Sequence, residues 1–389
     1  MSARLLLHNA VVVDPEHATG PAAILIEGGR IAARLPAAAA PPTDAPAIDL
    51  EGAQLAPGLI DLHYHGGFVL GEPHDAMASL HAASASLARH GVTAFLPTTM
   101  AWPAPELGQR VSHLVEAIAT GDWPGAVPIG LHLEGPWIRA EAAGAQPPGG
   151  IRPYDAVEAR DLLERGAGAI RMVTLAPELP GSRRLEEELA RRGIAIALGH
   201  TLADATAIGA AIGAGARHVT HLFNAMGPLH QRGPGVAGIV LAEDRLSCDV
   251  IADGAHVHPD WLRVAARAKG ERLILITDRI DARQPRDGDF GSGAVRSDGI
   301  AWRLPDGRLA GSHLSLDDAV RNVERWRVMS RHDAISACTL RPARLLGIEA
   351  QRGSLRPGAR ADLVAFSPGG AVLKTWVGGR LVCDVRDPA

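Results

Sequence analysis

The chain is poor in several residue types that other classes of protein need. It has only three cysteines, Cys248, Cys338 and Cys383, which are far apart and odd in number. This is not the pattern of a disulfide-stapled secreted domain, so we expect free thiols in a reducing compartment and a cytoplasmic protein. The N-terminus also lacks the apolar core and the cleavage pattern of a secretory signal.

Further absences narrow the classes of partner. The chain has no basic run and a net charge of -4, so nothing predicts nucleic-acid binding. Its apolar runs are broken by glycine, proline or charge well short of the roughly 20 residues that a membrane span needs. Lysine is scarce, since only Lys269 and Lys374 occur, and tyrosine occurs twice, whereas there are 17 histidines. The histidine positions therefore guide the search for a site.

Strand-like and helical segments alternate through the middle of the chain, which is typical of a (β/α)8 TIM-like barrel of the α/β class. The predicted strands are the runs 59–65, 92–97, 127–133, 170–175, 194–199, 217–222, 247–252 and 272–277. The predicted helices are 77–90, 105–119, 155–166, 183–192, 203–214 and 259–268. A doubly wound open sheet is the competing architecture. Polar residues converging at many strand ends favour the barrel.

Both ends of the chain carry short strand signals instead. The Gly-Gly pairs at 28–29 and 378–379 each lie between apolar runs, which predicts two β-hairpins. We therefore predict that residues 1–56 and 350–389 form one small, discontinuous β-sandwich domain. Residues 57–349 are predicted to form the barrel.

Ionisable side chains lie at the ends of five of the predicted strands. They are His63 and His65 on the first strand, Glu134 on the third, His200 on the fifth, His221 on the sixth and Asp278 on the eighth. Side chains alternate along a strand, so His63 and His65 face the same way. Because the carboxyl ends of the strands meet at one rim of a barrel, we expect all six groups to converge there.

Four imidazoles and a carboxylate form a suitable ligand set for one or two divalent cations. Zinc is our first expectation, while iron and manganese accept the same ligands. Many two-metal barrel hydrolases bridge their ions with a carbamylated lysine on the fourth strand, but the run 170–175 contains no lysine. Glu134 is therefore the predicted bridge. A divalent cation lowers the pKa of a bound water, and Asp278 can accept that water's proton and pass it to a leaving amine.

Six motifs occur in order along nearly the whole chain: PGLIDLHYHG, GLHLEGPWI, LGHT, THLFNAM, IADGAHVHP and LITD. With this spacing the sequence resembles the amidohydrolase superfamily and, within it, the N-acetylglucosamine-6-phosphate deacetylases. The resemblance implies a (β/α)8 barrel with a small β-sandwich, usually as a homodimer. It implies that Glu134, His200 and His221 hold the metal seen throughout the family. His63 and His65 match ligands of a second metal that only some members keep.

The same resemblance implies roles for residues around the substrate. Asp278 matches the general base and acid. Arg232 matches a phosphate-binding arginine that is presented to the neighbouring subunit's active site. The remaining positions that the resemblance assigns are contacts with the sugar phosphate or belong to the loop that closes over it: Ala145, Gln146, Asn224, Ala225, His256, Leu309, Ala310 and Gly311.

The chain departs from the family pattern in two places. Gln146 stands where the family usually has a histidine, and glutamine donates hydrogen bonds but carries no charge. Losing a charged donor to a developing oxyanion costs about 3 kcal/mol, and our hypothesis is that a second metal takes over this polarisation. Arg279 and Arg283 follow Asp278 where the family has small residues. These arginines either bind an anion or line a loop.

These observations predict metal-dependent hydrolysis of the N-acetyl group of N-acetylglucosamine 6-phosphate, which yields glucosamine 6-phosphate and acetate. The departures leave open the same chemistry on N-acetylgalactosamine 6-phosphate or an N-acyl amino acid. A non-catalytic metal- or sugar-binding relative is the alternative from another class. Asp278 argues against that alternative, because binding alone does not require a general base.

The paired histidines generate a metal-content prediction. The wild-type protein should bind about two divalent cations per subunit, and alanine at both His63 and His65 should reduce this to about one. Inductively coupled plasma mass spectrometry of the purified proteins measures the ratio. Equal metal content in the two proteins would contradict a second cation held by this pair.

Overall fold

The computed structural model describes residues 4–37, 46–67, 69, 73–281 and 294–385. In chain order its strands are β1 (Arg4–Val12), β2 (Gly20–Glu27), β3 (Arg30–Pro36), β4 (Ala47–Asp49), β5 (Gln54–Pro57), β6 (Leu59–Gly66), β7 (Val92–Thr99), β8 (Val127–Pro128), β9 (Leu131–Glu134), β10 (Ile170–Leu175), β11 (Ala195–Leu198), β12 (His218–Val219), β13 (Cys248–Ile251), β14 (Leu273–Ile276), β15 (Arg279–Ile280), β16 (Arg296–Ser297), β17 (Ala301–Arg303), β18 (Leu309–Ser312), β19 (Leu363–Phe366), β20 (Val372–Val377) and β21 (Arg380–Asp384).

The α-helices alternate with the central strands. They are α1 (Ala76–Ala88), α2 (Ala104–Thr120), α3 (Ala156–Arg165), α4 (Ser182–Arg191), α5 (Ala205–Ala214), α6 (Gly235–Ala242), α7 (Pro259–Lys269), α8 (Leu316–Arg325), α9 (Arg331–Ala337) and α10 (Leu340–Leu345). Single turns of 3-10 helix occur at Pro73–Asp75, Ala140–Ala142, Pro148–Gly150 and Gly270–Arg272. None of the helices in the described ranges combines the length and the apolar character that a bilayer span requires.

Eight parallel strand positions close into a barrel. Strands β6, β7, β9, β10, β11 and β12 pair in succession, β8 extends the third position, and β13 pairs with β14. Two backbone hydrogen bonds connect β12 to β13: Ser247 N donates to Arg217 O and Leu222 N donates to Asp249 O, both at 2.9 Å. Asp278 N donates to His63 O at 2.9 Å and so joins the end of β14 to β6. The predicted barrel is confirmed, and the open-sheet alternative is excluded by this closure.

Every residue of β6 and β7 is buried, as expected for strands that are covered on both faces. Along β6 the apolar side chains pack outward, and Tyr64 contacts the ring of Phe95 edge-on. The alternate positions Asp61, His63 and His65 face the barrel interior. One face of this eight-residue strand thus packs against the surrounding core, and the other bears ionisable side chains.

The terminal strands form the small β domain. One eight-stranded sheet has the order β21-β20-β19-β5-β1-β2-β3, with β4 beside β1, and it has its own hydrophobic core. Both predicted Gly-Gly hairpins are confirmed, since β2 pairs with β3 and β20 pairs with β21. A Cβ on Gly29 would lie 2.7 Å from Gly378 O, so the two turns pack too closely for a side chain. The domain boundaries at 56/57 and 349/350 stay a prediction.

The helix α4 contains a buried carboxylate that affects stability. Glu186 is 2% exposed, and its Oε1 has no hydrogen-bond partner among the described residues. Burial raises its pKa from 4.5 to about 7. Because the folded pKa lies above the unfolded one, folding favours the protonated form. The contribution of protonated Glu186 to the free energy of unfolding is present at low pH and is lost as the pH rises through about 7.

We expect the Glu186→Gln variant to gain stability over the wild type as the pH rises from 5 to 8, by roughly 1 kcal/mol. Urea unfolding at both pH values measures this difference. Glu187→Gln on the same helix is the matched control, because Glu187 is half-exposed and pairs with Arg183. A pH-independent difference between wild type and Glu186→Gln would contradict the raised pKa.

Candidate active site

The six ionisable side chains at the strand ends come together at one end of the barrel. The side chains form two buried groups, and within each group the potential ligand atoms all lie within 4.8 Å of one another. One group is His63, His65 and Glu134, and the other is Glu134, His200 and His221. Glu134 belongs to both groups. It comes from β9, while the four histidines come from β6 and from the residues just after β11 and β12.

Each oxygen of the Glu134 carboxylate faces one pair of imidazoles. Oε1 lies 2.9 Å from His221 Nε2 and 3.0 Å from His200 Nε2. Oε2 lies 3.3 Å from His65 Nε2 and 3.5 Å from His63 Nε2. A carboxylate in this position can bridge two cations, one held by each pair.

Asp278 approaches the same cluster from the end of β14. Its Oδ1 lies 3.2 Å from His65 Nε2 and 3.5 Å from His63 Nε2. Burial opposes ionisation of this carboxyl, but His63 and His65 outweigh burial and hold its pKa well below the usual range. The side chain is 14% exposed, so a proton acceptor borders the cavity beside the histidines.

The charge balance of the cluster fits a divalent cation. Burial alone would lower the pKa of His65 and His221, but Asp278 and Glu134 raise that of His65 to about 10, and Glu134 raises that of His221 to about 9. The carboxylates therefore favour the protonated, positively charged form of these imidazoles. A divalent cation supplies that charge and replaces the protons.

Two of the histidines are oriented by backbone carbonyls. His65 Nδ1 donates to Thr98 O at 3.0 Å, and His200 Nδ1 donates to Ala142 O at 2.9 Å. With the proton on Nδ1, each ring presents the Nε2 lone pair to the cluster. Neutral imidazoles in this tautomer are the form that coordinates a metal.

The backbone turns sharply where the strands end. His200, His221 and Asp278 have φ values of 49°, 35° and 49°, in the left-handed region that non-glycine residues rarely adopt. Such conformations cost on the order of 1–3 kcal/mol each and persist where packing enforces them. Three of the six residues whose side chains form the cluster therefore have a left-handed backbone conformation.

Buried polar groups below the cluster tie the strands together. Asp61 Oδ2 accepts from Thr277 Oγ1 at 2.6 Å, and its Oδ1 accepts from His63 N at 3.2 Å and Thr277 N at 3.3 Å. Burial raises the pKa of Asp61 to about 6. Asp61 therefore connects the strand of His63 to the residue that precedes Asp278.

His132 lies behind the cluster rather than in it. Its Nε2 is 2.7 Å from Thr174 Oγ1 and its Nδ1 is 3.3 Å from Thr98 Oγ1, while its ring packs edge-on against His63. Burial lowers its pKa well below the usual value. It supports the position of the His63 ring as a neutral imidazole.

Gln146 is held in a defined orientation. Its Oε1 accepts from Ala101 N at 2.8 Å, which fixes the amide so that Nε2 donates to Glu134 Oε2 at 2.5 Å. This is the oxygen that faces His63 and His65. This uncharged donor thus contacts the candidate bridging carboxylate directly.

A cavity of about 340 Å³ opens above the cluster. It is lined by eight of the predicted substrate-binding residues, Ala145, Gln146, Asn224, Ala225, His256, Leu309, Ala310 and Gly311. His256 is oriented by Asp253, whose Oδ2 lies 2.6 Å from His256 Nδ1. The strand β18 supplies the Leu309–Gly311 wall, and it pairs with β15 directly after Asp278.

Two predicted arginines lie elsewhere. Arg232 is on the exposed loop before α6 and does not line the cavity, so its role at a neighbouring subunit stays a prediction. Arg279 Nε pairs with Asp281 Oδ1 at 2.7 Å and Nη1 donates to His313 O at 3.1 Å. Of the two roles considered for Arg279, these contacts favour anchoring a loop over binding an anion. Arg283 lies outside the described residues.

Sequence patterns did not identify every residue of the cavity. The additional lining residues are Met100, Gly144, Phe223, Ile280 and Arg308. Phe223 and Arg308 directly precede Asn224 and Leu309, so adjacency to a motif was the available signal. Met100 follows a strand that ends without an ionisable residue, and nothing in the sequence marked it.

The chain is similar to known proteins over most of its length. The profile of the Amidohydrolase family matches residues 55–382. An N-acetylglucosamine-6-phosphate deacetylase of Bacillus subtilis is 38% identical over 84% of each chain, and an N-acetylgalactosamine-6-phosphate deacetylase of Escherichia coli O157:H7 is 36% identical over 84% of this chain and 87% of its own. The crystal structure of N-acetylglucosamine-6-phosphate deacetylase from Pasteurella multocida superposes with a TM-score of 0.89 at 28% identity, covering 97% of this chain and 99% of that one.

The Asp61–Thr277 contact generates a prediction about geometry. Thr277→Val keeps the side-chain shape but removes the donor to a buried carboxylate, which should cost about 1–3 kcal/mol of unfolding free energy. It should also lower kcat more than it raises KM, because Asp278 is the next residue. Urea unfolding and steady-state kinetics measure both effects.

Thr93→Val is the matched control for this substitution. Thr93 is equally buried, but its hydroxyl donates only to Leu59 O at 3.4 Å. Equal losses in the two variants would show that the Asp61 contact has no special role.

Proposed function

Because the chain belongs to the amidohydrolase family, we propose that it hydrolyses the N-acetyl group of N-acetylglucosamine 6-phosphate, giving glucosamine 6-phosphate and acetate. The observation that carries this proposal is the cluster of four histidines and two carboxylates at the base of the cavity. Proteins named N-acetylglucosamine-6-phosphate deacetylase match this chain over most of its length. Amino sugar phosphates are small enough to enter a cavity of this size.

The proposed metal ligands are His63, His65, Glu134, His200 and His221. The donor set of imidazole and carboxylate suits one or two zinc ions, and iron or manganese would bind the same atoms. When bound, the divalent cation makes water a better nucleophile and polarises the acyl carbonyl. Gln146 Nε2 donates to Glu134 Oε2 and so restrains the carboxylate between the two histidine pairs.

Asp278 is the proposed general base and general acid. Its low pKa keeps the carboxylate ionised, so Oδ1 can take a proton from the attacking water. The water oxygen bonds to the acetyl carbon, and the carbon–nitrogen bond then breaks. Asp278 returns the proton to the leaving nitrogen, so acetate and the free amine depart. The Asp278 carboxylate thereby acts as the base in the attack of water and as the acid in the departure of the amine.

The sugar is proposed to lie with its acetamide at the cluster and its phosphate at the rim. Ala145, Leu309, Ala310 and Gly311 would enclose the ring, while Asn224, Ala225 and His256 would hold the phosphate end. Glu134 and Asp278 are both anionic at the base. Their repulsion of a phosphate supports this direction of binding.

A homodimer in which Arg232 reaches the neighbouring active site is part of the proposal. Arg232 is exposed and lies outside its own cavity. Large apolar side chains on nearby elements are also exposed, namely Leu202, Leu229 and Trp261 at 43%, 38% and 44%. An interface on this side would cover them. A cytoplasmic location remains a prediction.

A substrate panel tests the proposed function. The purified holoenzyme should release acetate from N-acetylglucosamine 6-phosphate with a higher kcat/KM than from the galactosamine epimer or an N-acetyl amino acid. Removing the phosphate should raise KM by about tenfold or more, because a charge-assisted contact is lost. Acetate and free amine are measured in parallel.

Asp278→Asn is the control for this panel. It should lower kcat by about 100-fold or more while metal content and thermal stability stay close to the wild type. Full activity in that variant would remove Asp278 from the mechanism. Equal efficiency on phosphorylated and unphosphorylated sugar would refute the substrate assignment, and metal binding without any turnover would favour a non-catalytic relative.

A further inference from the structure

Arg308 is the only arginine or lysine among the described residues that line the cavity. It directly precedes β18, whose residues Leu309, Ala310 and Gly311 also line the cavity. The other cationic candidates there are histidines, which carry charge only when protonated. Arg308 therefore supplies the permanent positive charge of this cavity.

The guanidinium of Arg308 is half-exposed and borders the cavity beside the loop after β9. Its Nη1 donates to Gly144 O, which belongs to the loop after β9. A Cβ on Gly144 would lie 3.3 Å from His200 Cε1 and 3.7 Å from the Cβ of Ala225. The backbone that Arg308 contacts thus packs between the ring of His200 and Ala225, the residue after Asn224.

The present partners of Arg308 leave it available to a ligand. Its Nη2 lies 2.7 Å from Asp306 Oδ2, and the two side chains are 51% and 53% exposed. Such an exposed ion pair is weak because water screens it. A dianionic phosphate competes well for a planar guanidinium, since it can accept two parallel hydrogen bonds.

We propose that Arg308 is a specificity-determining residue that binds the anionic group of the substrate from within the same subunit, beside His256 and Asn224. The inference rests on the proposed function and deepens it. It gives each subunit its own cation for the phosphate, whereas Arg232 lies on an exposed loop outside this cavity. The negative base of the cavity and the positive rim then orient the sugar phosphate together.

Three variants of the holoenzyme test this proposal. Arg308→Gln removes the charge, Arg308→Lys keeps a charge without the planar fork, and Arg303→Gln is the matched control. Arg303 lies on the neighbouring strand β17, pairs with Asp298 and does not line the cavity. Steady-state kinetics are measured with N-acetylglucosamine 6-phosphate and with unphosphorylated N-acetylglucosamine.

Arg308→Gln should raise KM for the phosphorylated sugar by about tenfold or more, with kcat changed by less than about threefold. KM for the unphosphorylated sugar should stay unchanged. Arg308→Lys should retain part of the preference, and Arg303→Gln all of it. Equal effects on both sugars would indicate that Arg308 only holds the loop through Gly144, and no effect on either sugar would equally overturn the proposal.

Calorimetric binding separates this inference from the proposed function. Glucosamine 6-phosphate and glucosamine are titrated into the wild type, Arg308→Gln and Arg303→Gln. If the wild type hydrolyses neither N-acetylglucosamine 6-phosphate nor N-acetylglucosamine, the proposed function fails, but the inference is supported if only Arg308→Gln weakens binding of glucosamine 6-phosphate by about tenfold. Unchanged binding in Arg308→Gln, or no binding to the wild type, overturns the inference.

Discussion

The buried carboxylate of Glu134 is the group on which the other contacts of the site depend. A buried charge is costly unless opposite charge and hydrogen bonds compensate it. Four imidazoles from three strand ends and the amide of Gln146 supply that compensation. The strands that carry these groups must therefore be held at fixed separations. The closure of the barrel and the Asp61–Thr277 contact provide this constraint.

The same arrangement makes two parts of the cavity lining chemically different. The cluster combines candidate cation ligands with the ionised Asp278, whereas Arg308 and His256 contribute basic side chains elsewhere in the lining. An acetamido sugar phosphate has matching ends, a neutral amide and a dianion. The wall formed by β18 connects the two regions, because it pairs with β15 immediately after Asp278 and begins next to Arg308.

Much of the fold follows from local patterns. The eight strand runs and the six helices were predicted within a few residues, because fully buried parallel strands are continuous apolar runs between amphipathic helices. The short strands β15 to β18 and the helices α6, α8, α9 and α10 were not predicted. The short strands depend on pairing with distant segments, as β15 does with β6 and β18. The orientation of Gln146 was also unpredicted, since Ala101 N, which fixes it, lies 45 positions away.

The sequence by itself determined the chemistry available: apolar strands that end in His63, His65, Glu134, His200, His221 and Asp278, and Gly-Gly turns at both ends. Residue type and alternation are local properties, so they can be read without coordinates. Only the tertiary structure decided which Glu134 oxygen faces which histidine pair, that Arg279 is held by Asp281, and that Arg308 borders the cavity. These contacts join residues far apart in the chain or depend on side-chain direction, and barrel closure and packing determine both.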